Sequence, residues 1–356
     1  MANITLFAQA IGRLPKEIIR KIIREEKTDK HSKGYDTWSQ FISMMFCQFS
    51  GCDSVRDISN GLNSANGNLN HLGICRAPSK STVAYQNAKR DSGVFRRIFY
   101  ALLAHFGQQA VWQRTRFRFK MPIKLLDSST ITLTMSLYEW AHYTTRKGAV
   151  KMHTLLDYDS LLPEFVNITD GKCGDNRGAL DIPVSPHSVV VADRGYCDFS
   201  LLDHWDSRNV FFVVRHKDNL LYSQIEERSL PETRAQNVLI DEIVELKGEQ
   251  TKKKYTRPLR RIAVWNDEHG YVVQLLTNNF KLAASTIAQL YKARWTIEIF
   301  FRNIKQLLKI KSFIGTSRNA VETQIWTALS TMLLLCWLKH IAKYKWGSPI
   351  LSYHLD

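Results

Sequence analysis

Near Lys120 the chain changes texture, and that change limits the possible folds more than any other feature. Before it, Phe7, Ile11, Leu14, Ile18, Ile19, Ile22 and Ile23 recur at helical spacing, with Arg20, Lys21 and Arg24 between them. Trp38 to Phe49 predicts another apolar helix, Asn60 to Asn70 a polar loop, and Pro78-Ser79 the start of a further helix. After it, β-branched apolar runs predict strands at residues 123–133, 150–157, 162–170, 189–192, 210–215, 238–246, 259–265 and 271–277. A helix over 199–207 separates two of them, and from Ala284 the pattern is helical again. The pattern is that of an all-helical domain over 1–118 followed by a mixed α/β domain over 119–356.

Charge follows the same division. The chain of 356 residues carries a net +16. Residues 1–120 hold 19 Lys and Arg against 8 Asp and Glu, and the remaining residues hold 30 against 25. A basic first third points to a polyanion, most simply double-stranded DNA. The predicted helix after Ser79 would present Lys80, Ser81, Gln86, Asn87, Lys89 and Arg90 outward, the donor types used on phosphates and base edges. A helix-turn-helix-like unit and a helical cap that only packs are both compatible with this pattern.

Six cysteines show neither Cys-x-x-Cys pairing nor zinc-ligand spacing with His, so reduced thiols in the cytoplasm are expected. The opening Met-Ala-Asn-Ile-Thr lacks the basic and apolar regions of a signal peptide. Ile325 to Leu338 is strongly apolar but short, contains Thr327, Ser330 and Thr331, and reads as a buried helix, not a membrane span. The expected location is the cytoplasm, in association with the nucleoid, with no membrane contact.

The helical region after Ala284 carries the most chemistry. At about 100° per residue, Tyr291, Arg294, Glu298 and Lys305 fall in a band roughly 60° wide. Leu290, Ile297, Phe301, Ile304 and Leu308 form a neighbouring apolar band. One flank can therefore pack while the other faces a site. A solvated amphipathic surface is the ordinary alternative. Trp295, one step round the helix, is either core or a base-stacking side chain.

Two further acids end or interrupt apolar strands. Asp127 precedes Ser128 and Ser129, and Asp193 ends Val189-Val-Val-Ala and precedes Arg194-Gly195-Tyr196. Each alone is explained by a salt bridge. Shared by both, a divalent cation would neutralise their repulsion. Oxygen ligands without His or Cys suit Mg²⁺, with Mn²⁺ a possible substitute. Two such ions can activate a water or 3′-hydroxyl and stabilise the leaving oxygen of a phosphodiester. Arg294, Lys305 and Arg194 would then hold phosphates, with Tyr291 adding a hydrogen bond.

Tyr291-x2-Arg294-x3-Glu298-x6-Lys305, preceded by Asp127 and by Asp193 in Asp-Arg-Gly-Tyr, resembles the signature of bacterial DDE transposases of the insertion-sequence-four family. The likeness covers roughly residues 120–310. It implies an RNase H-like core with a β-rich insertion, here about 208–280, and 105 residues separate Asp193 from Glu298. It also implies Asp127, Asp193 and Glu298 as metal ligands, and Tyr291, Arg294 and Lys305 as positioners of DNA. The implied activity is cut-and-paste transposition on terminal inverted repeats: nicking, hairpin formation, reopening and strand transfer, by a homodimer. A nuclease without strand transfer and an inactive DNA-binding relative are the alternatives. The family often places a Trp for a flipped base where Val273 stands here; Trp265 either replaces it or belongs to the core. The end of the chain soon after Gly347-Ser348-Pro349 suggests that a longer C-terminal dimerisation tail is lacking.

Overall fold

A computed structural model describes residues 4–65, 67–109, 117–133, 140, 148–216, 218–230, 237–268, 270–307 and 313–342. Its helices begin where short polar side chains can cap them. Asp36, Ser54, Ser79 and Ser317 each accept a hydrogen bond from the backbone N–H three residues on, opening α3 (Thr37–Ser50), α4 (Val55–Asn63), α5 (Lys80–Lys89) and the last helix, α12 (Arg318–Ile341). The first apolar repeat is two helices, α1 (Ile4–Ile11) and α2 (Lys16–Glu26), because Pro15 lies between them. The expected loop over 60–70 is partly helical: α4 runs to Asn63, and Leu69–Leu72 forms a 3-10 turn. α6 (Gly93–Gln109) completes the N-terminal set.

The chain divides into two compact units. The first contains residues 1–112, 131–150 and 300–356, so it is not confined to the helical first third. α12 supplies the reason: it packs on α3, α5 and α6. Its window is apolar and long enough to cross a bilayer by composition alone, yet 72% of that window is buried within the protein. Thr327, Ser330 and Thr331 return their hydroxyls to carbonyls one turn back, which lets them lie in a core. Phe99 meets Trp326 of α12 with ring centroids 5.6 Å apart. Residues 343–356, where the sequence raised the question of a dimerisation tail, lie outside the described residues.

The second unit contains residues 113–130 and 151–299 and is built on the sheet. In chain order the α/β elements are β1 (Ile123–Leu133), β2 (Gly148–Asp157), β3 (Pro163–Asp170), α7 (Asp175–Leu180), β4 (Val189–Ala192), α8 (Phe199–Asp206), β5 (Phe211–Arg215), β6 (Tyr222–Glu227), β7 (Val238–Leu246), α9 (Glu249–Lys254), β8 (Leu259–Asn266), β9 (Tyr271–Thr277), α10 (Ala284–Ala293) and α11 (Trp295–Leu307). The sheet order is β3-β2-β1-β4-β5-β9-β8-β7-β6. Its first five strands are an RNase H-like core, with β1, β4 and β5 parallel. Every residue of β4 is buried, as expected of a parallel strand covered on both faces. Leu201, Leu202 and Trp205 of α8 join Leu126, Val190 and Phe212 in one apolar cluster.

The insertion does not form a separate block. β9 pairs antiparallel with β5, so β6 to β9 extend the core sheet, and the extra residues begin after β5. Arg260 of β8, almost fully buried, holds Asp241 of β7 through two hydrogen bonds (2.8 and 2.7 Å) and also reaches the Asn279 carbonyl at 3.1 Å. That pair ties the insertion to the connection leading into α10. β6, α7 and α9 carry no sequence signal: β6 is an exposed, acidic edge strand, and the two helices have six residues each.

Candidate active site

Two strands and two helices build the site. β1 pairs with β4 in a register that ends at Leu126 and Ala192, so Asp127 and Asp193 follow side by side at the carboxyl end of the parallel pair. That edge of an open α/β sheet is where crevices form. Val214 of β5 is in register with Ala192, which puts Arg215 next in the row. The sequence reading missed Arg215. Its guanidinium lies 5.4 Å from the Tyr271 ring.

The third acid comes from the helices that follow the insertion. The predicted single helix is two, α10 and α11, with Arg294 at the junction. Arg294 N–H bonds to the Tyr291 carbonyl and Ile297 N–H to the Arg294 carbonyl, both at 3.1 Å, so the chain tightens for one turn without leaving helical space. Leu290, Ile297, Phe301 and Ile304 are buried as their spacing predicts; Leu308 lies outside the described residues. Tyr291 and Glu298 remain on the side facing the strand ends.

Each acid already has a partner. The Tyr291 hydroxyl donates to Asp193 Oδ1 at 3.0 Å. Arg294 Nη2 donates to Glu298 Oε1 at 2.6 Å, and its Nη1 lies 3.6 Å from Asp127 Oδ2. Ser128 N–H donates to Asp127 Oδ1 at 2.7 Å. Burial pushes the Asp127 carboxyl up to about 6; the Ser128 N–H and Arg294 oppose this, and the charges of Asp193 and Glu298 add to it. Burial also raises the Tyr291 phenol, and Asp193 reinforces it. For Arg294, burial favours the neutral form, but Tyr291, Asp193 and Glu298 outweigh it and keep the guanidinium charged. Arg294 Nε has no acceptor among the described residues.

The expectation of three acids around shared ions needs a correction of geometry. Among the described residues, no three His, Cys, Asp or Glu side chains stand close enough to hold a metal ion in this arrangement. The reason is Arg294, which sits between Asp127 and Glu298 and supplies the positive charge there. The donor chemistry nonetheless suits a hard divalent cation, because all three candidate ligands are carboxylates.

The other candidates are more scattered. Arg194 pairs with Asp218 at 2.9 Å on the surface. Trp295 is 52% exposed and Trp265 39%, so neither belongs to the core; Val273 is buried. Lys305 lies half-buried on α11, beyond Glu298 and within the first unit. On α5, Lys80, Ser81 and Lys89 are exposed, but Asn87 and Arg90 are not. The Arg90 side chain is 3% exposed, donates to Gln40 and to the Tyr35 and Asp36 carbonyls, and pairs with Asp29 at 3.6 Å. Arg90 therefore cannot be a DNA contact. It stands one residue past the end of α5, where Gln40 of α3 and the residues before that helix supply the acceptors.

An RNase H-like sheet with one acid in β1 just past its pairing with β4, a second directly after β4, and a third on the helix after an insertion defines the DDE class of catalytic domain. The chain belongs to the DDE transposase family: residues 118–335 match the transposase DDE domain. Residues 2–75 match a domain of unknown function (DUF4372). Its relatives include a protein named as transposase y4zB of Sinorhizobium fredii (strain NBRC 101917 / NGR234), 33% identical over 260 residues, which is 73% of this chain and 71% of the relative. Another, named as a transposase for insertion sequence element IS5377 of Geobacillus stearothermophilus, is 29% identical over 72% of this chain and 67% of its own. A third, named for insertion sequence element IS4SA of Synechocystis sp. (strain ATCC 27184 / PCC 6803 / Kazusa), is 24% identical over 72% of this chain and 70% of its own.

Proposed function

We propose that this chain is a DNA transposase that cuts at the terminal inverted repeats of its own element and joins the freed ends to new DNA. The observation that carries this reading is the register of β1 on β4, which sets Asp127 beside Asp193, with Arg294 reaching from Asp127 to Glu298. Asp127, Asp193 and Glu298 would hold Mg²⁺, which when bound supplies an activated oxygen nucleophile and stabilises the leaving oxygen. Release of Glu298 from Arg294 frees that carboxylate for this role. The same release turns the Arg294 guanidinium, with its spare Nε–H, toward a phosphate. Tyr291 fixes the rotamer of Asp193 through its hydroxyl.

The reaction sequence that fits is a nick by water, which leaves a 3′-hydroxyl. Attack of that hydroxyl on the opposite strand exchanges one phosphodiester for another and closes a hairpin; water reopens it. A final attack on target DNA makes the join. A homodimer, each subunit gripping one end through its basic N-terminal helices and cutting the other, suits an element with two ends. The test is cleavage of DNA carrying the flanks of the gene, with and without Mg²⁺, by wild type and by Asp127→Asn, Asp193→Asn and Glu298→Gln. The expected outcome is cleavage and joining by wild type alone, with end binding within a few-fold for all four proteins. Binding lost in step with cleavage would make the acids structural, and cleavage without joining would leave a nuclease.

A further inference from the structure

A fourth acid stands behind the three. Asp175, the first residue of α7, accepts from Ser128 Oγ at 2.6 Å and from Lys151 Nζ at 3.1 Å, both on Oδ1. Lys151 of β2 is itself anchored on the Cys173 carbonyl at 3.0 Å. Ser128 is the residue whose backbone N–H holds Asp127. The other Asp175 oxygen faces the turn after β4: a Cβ on Gly195 would lie 3.2 Å from Oδ2, tighter than an ordinary contact. One carboxylate thus touches the segment carrying Asp127 and abuts the turn carrying Asp193. Two donors converge on Asp175 Oδ1, one of them a cation, so a carboxylate fits better than an amide, whose oxygen could accept both but would bring no charge to Lys151. With Oδ1 taken by those donors and Oδ2 against Gly195, Asp175 is placed to support the acids and not to join them as a ligand.

We infer that Asp175 is a positioning residue of the catalytic centre, which acts through Ser128 to set Asp127 and, by contact with Gly195, the turn that carries Asp193. The inference rests on the proposed role of those acids. Groups that orient metal-binding carboxylates typically matter by about ten- to hundredfold. Asp175→Ala should therefore slow single-turnover cleavage by about that factor, with DNA-end binding and the unfolding temperature close to wild type. Asp175→Asn keeps one oxygen for Ser128 and should recover part of the loss. The double variant Ser128→Ala/Asp175→Ala should be no slower than the slower single variant, since both remove one linkage.

Hydrogen exchange of the full-length protein without metal or DNA supplies a readout independent of catalysis. In Asp175→Ala, amides around residues 126–130 and 193–197 should exchange at least several-fold faster, while β7 to β9 remain unchanged. Unchanged exchange at both segments, or wild-type cleavage by Asp175→Ala, overturns the inference. Multiplying losses in the double variant would overturn action through Ser128. If wild type cleaves no end DNA yet the exchange changes as expected, the positioning stands and the transposase reading falls.

Discussion

Arg294 reaches Glu298 at 2.6 Å across the joint between α10 and α11, and the same guanidinium lies 3.6 Å from Asp127. A single cation therefore balances two of three acids that would otherwise repel one another. Arg294→Ala should lower cleavage by roughly a hundredfold or more, the scale for removing one preorganised charge donor. Arg294→Lys should recover only part of this, because an ammonium cannot reach in two directions as a fork does. Single-turnover cleavage with DNA-end binding measured in parallel checks both; equal activity of the Lys variant and wild type would reduce the role of Arg294 to its charge.

Lys80 and Lys89 should affect DNA, and Arg90 the fold. Lys80→Ala and Lys89→Ala should weaken end binding and lower the salt slope by about one each, the mark of a lost phosphate contact. Arg90→Ala takes the donor from Gln40 and from the Tyr35 and Asp36 carbonyls and the cation from Asp29, and should destabilise the first unit by about 3 kcal/mol. Binding titrations over a range of salt and urea unfolding separate the two outcomes. A stable Arg90→Ala protein with weakened DNA binding would reverse the assignment.

Trp295 is the most exposed tryptophan at the site, at the start of α11 beside Arg294. Trp295→Ala should leave thermal unfolding unchanged and weaken the complex with a nicked or single-stranded end by about 1–3 kcal/mol, the range for one base–aromatic stack. Loss of stability in place of affinity would show that the ring packs in the protein after all.

Lys124 makes stability depend on pH in a defined direction. It donates to Asp157 at 2.8 Å and to Glu164 at 2.6 Å, joining β1, β2 and β3. Burial pushes the Asp157 carboxyl up, but Lys124 and the Ser160 hydrogen bonds outweigh it and hold it below the usual range. A depressed carboxylate stabilises the fold above its unfolded pKa of about 4, and that contribution is lost as pH falls through the folded value. Wild type should thus lose this part of its stability only below about pH 4. In Lys124→Met only the Ser160 hydrogen bonds oppose burial, so Asp157 titrates higher than in wild type and the loss should begin at higher pH. Urea midpoints across that range check it, and parallel profiles for the two proteins would rule it out.

Local patterning determined much of this protein. The alternation and apolarity of 123–133 and 189–192 place Asp127 in a strand and Asp193 just past the end of one, and the 3.6-residue period places Leu290, Ile297, Phe301 and Ile304 inside, because burial periodicity is a property of neighbours along the chain. Only the tertiary structure decided what those elements meet. Arg90 and Asn87 turn inward because α3 and the residues just before it offer their side chains partners, which no reading of α5 alone contains. The insertion joins the core sheet because β9 finds β5, more than fifty residues away. Asp175 carried no motif at all; it acquires its place because β1, β2 and the turn after β4 converge on one carboxylate. Contacts between distant segments depend on how elements pack, and packing leaves no period in a sequence.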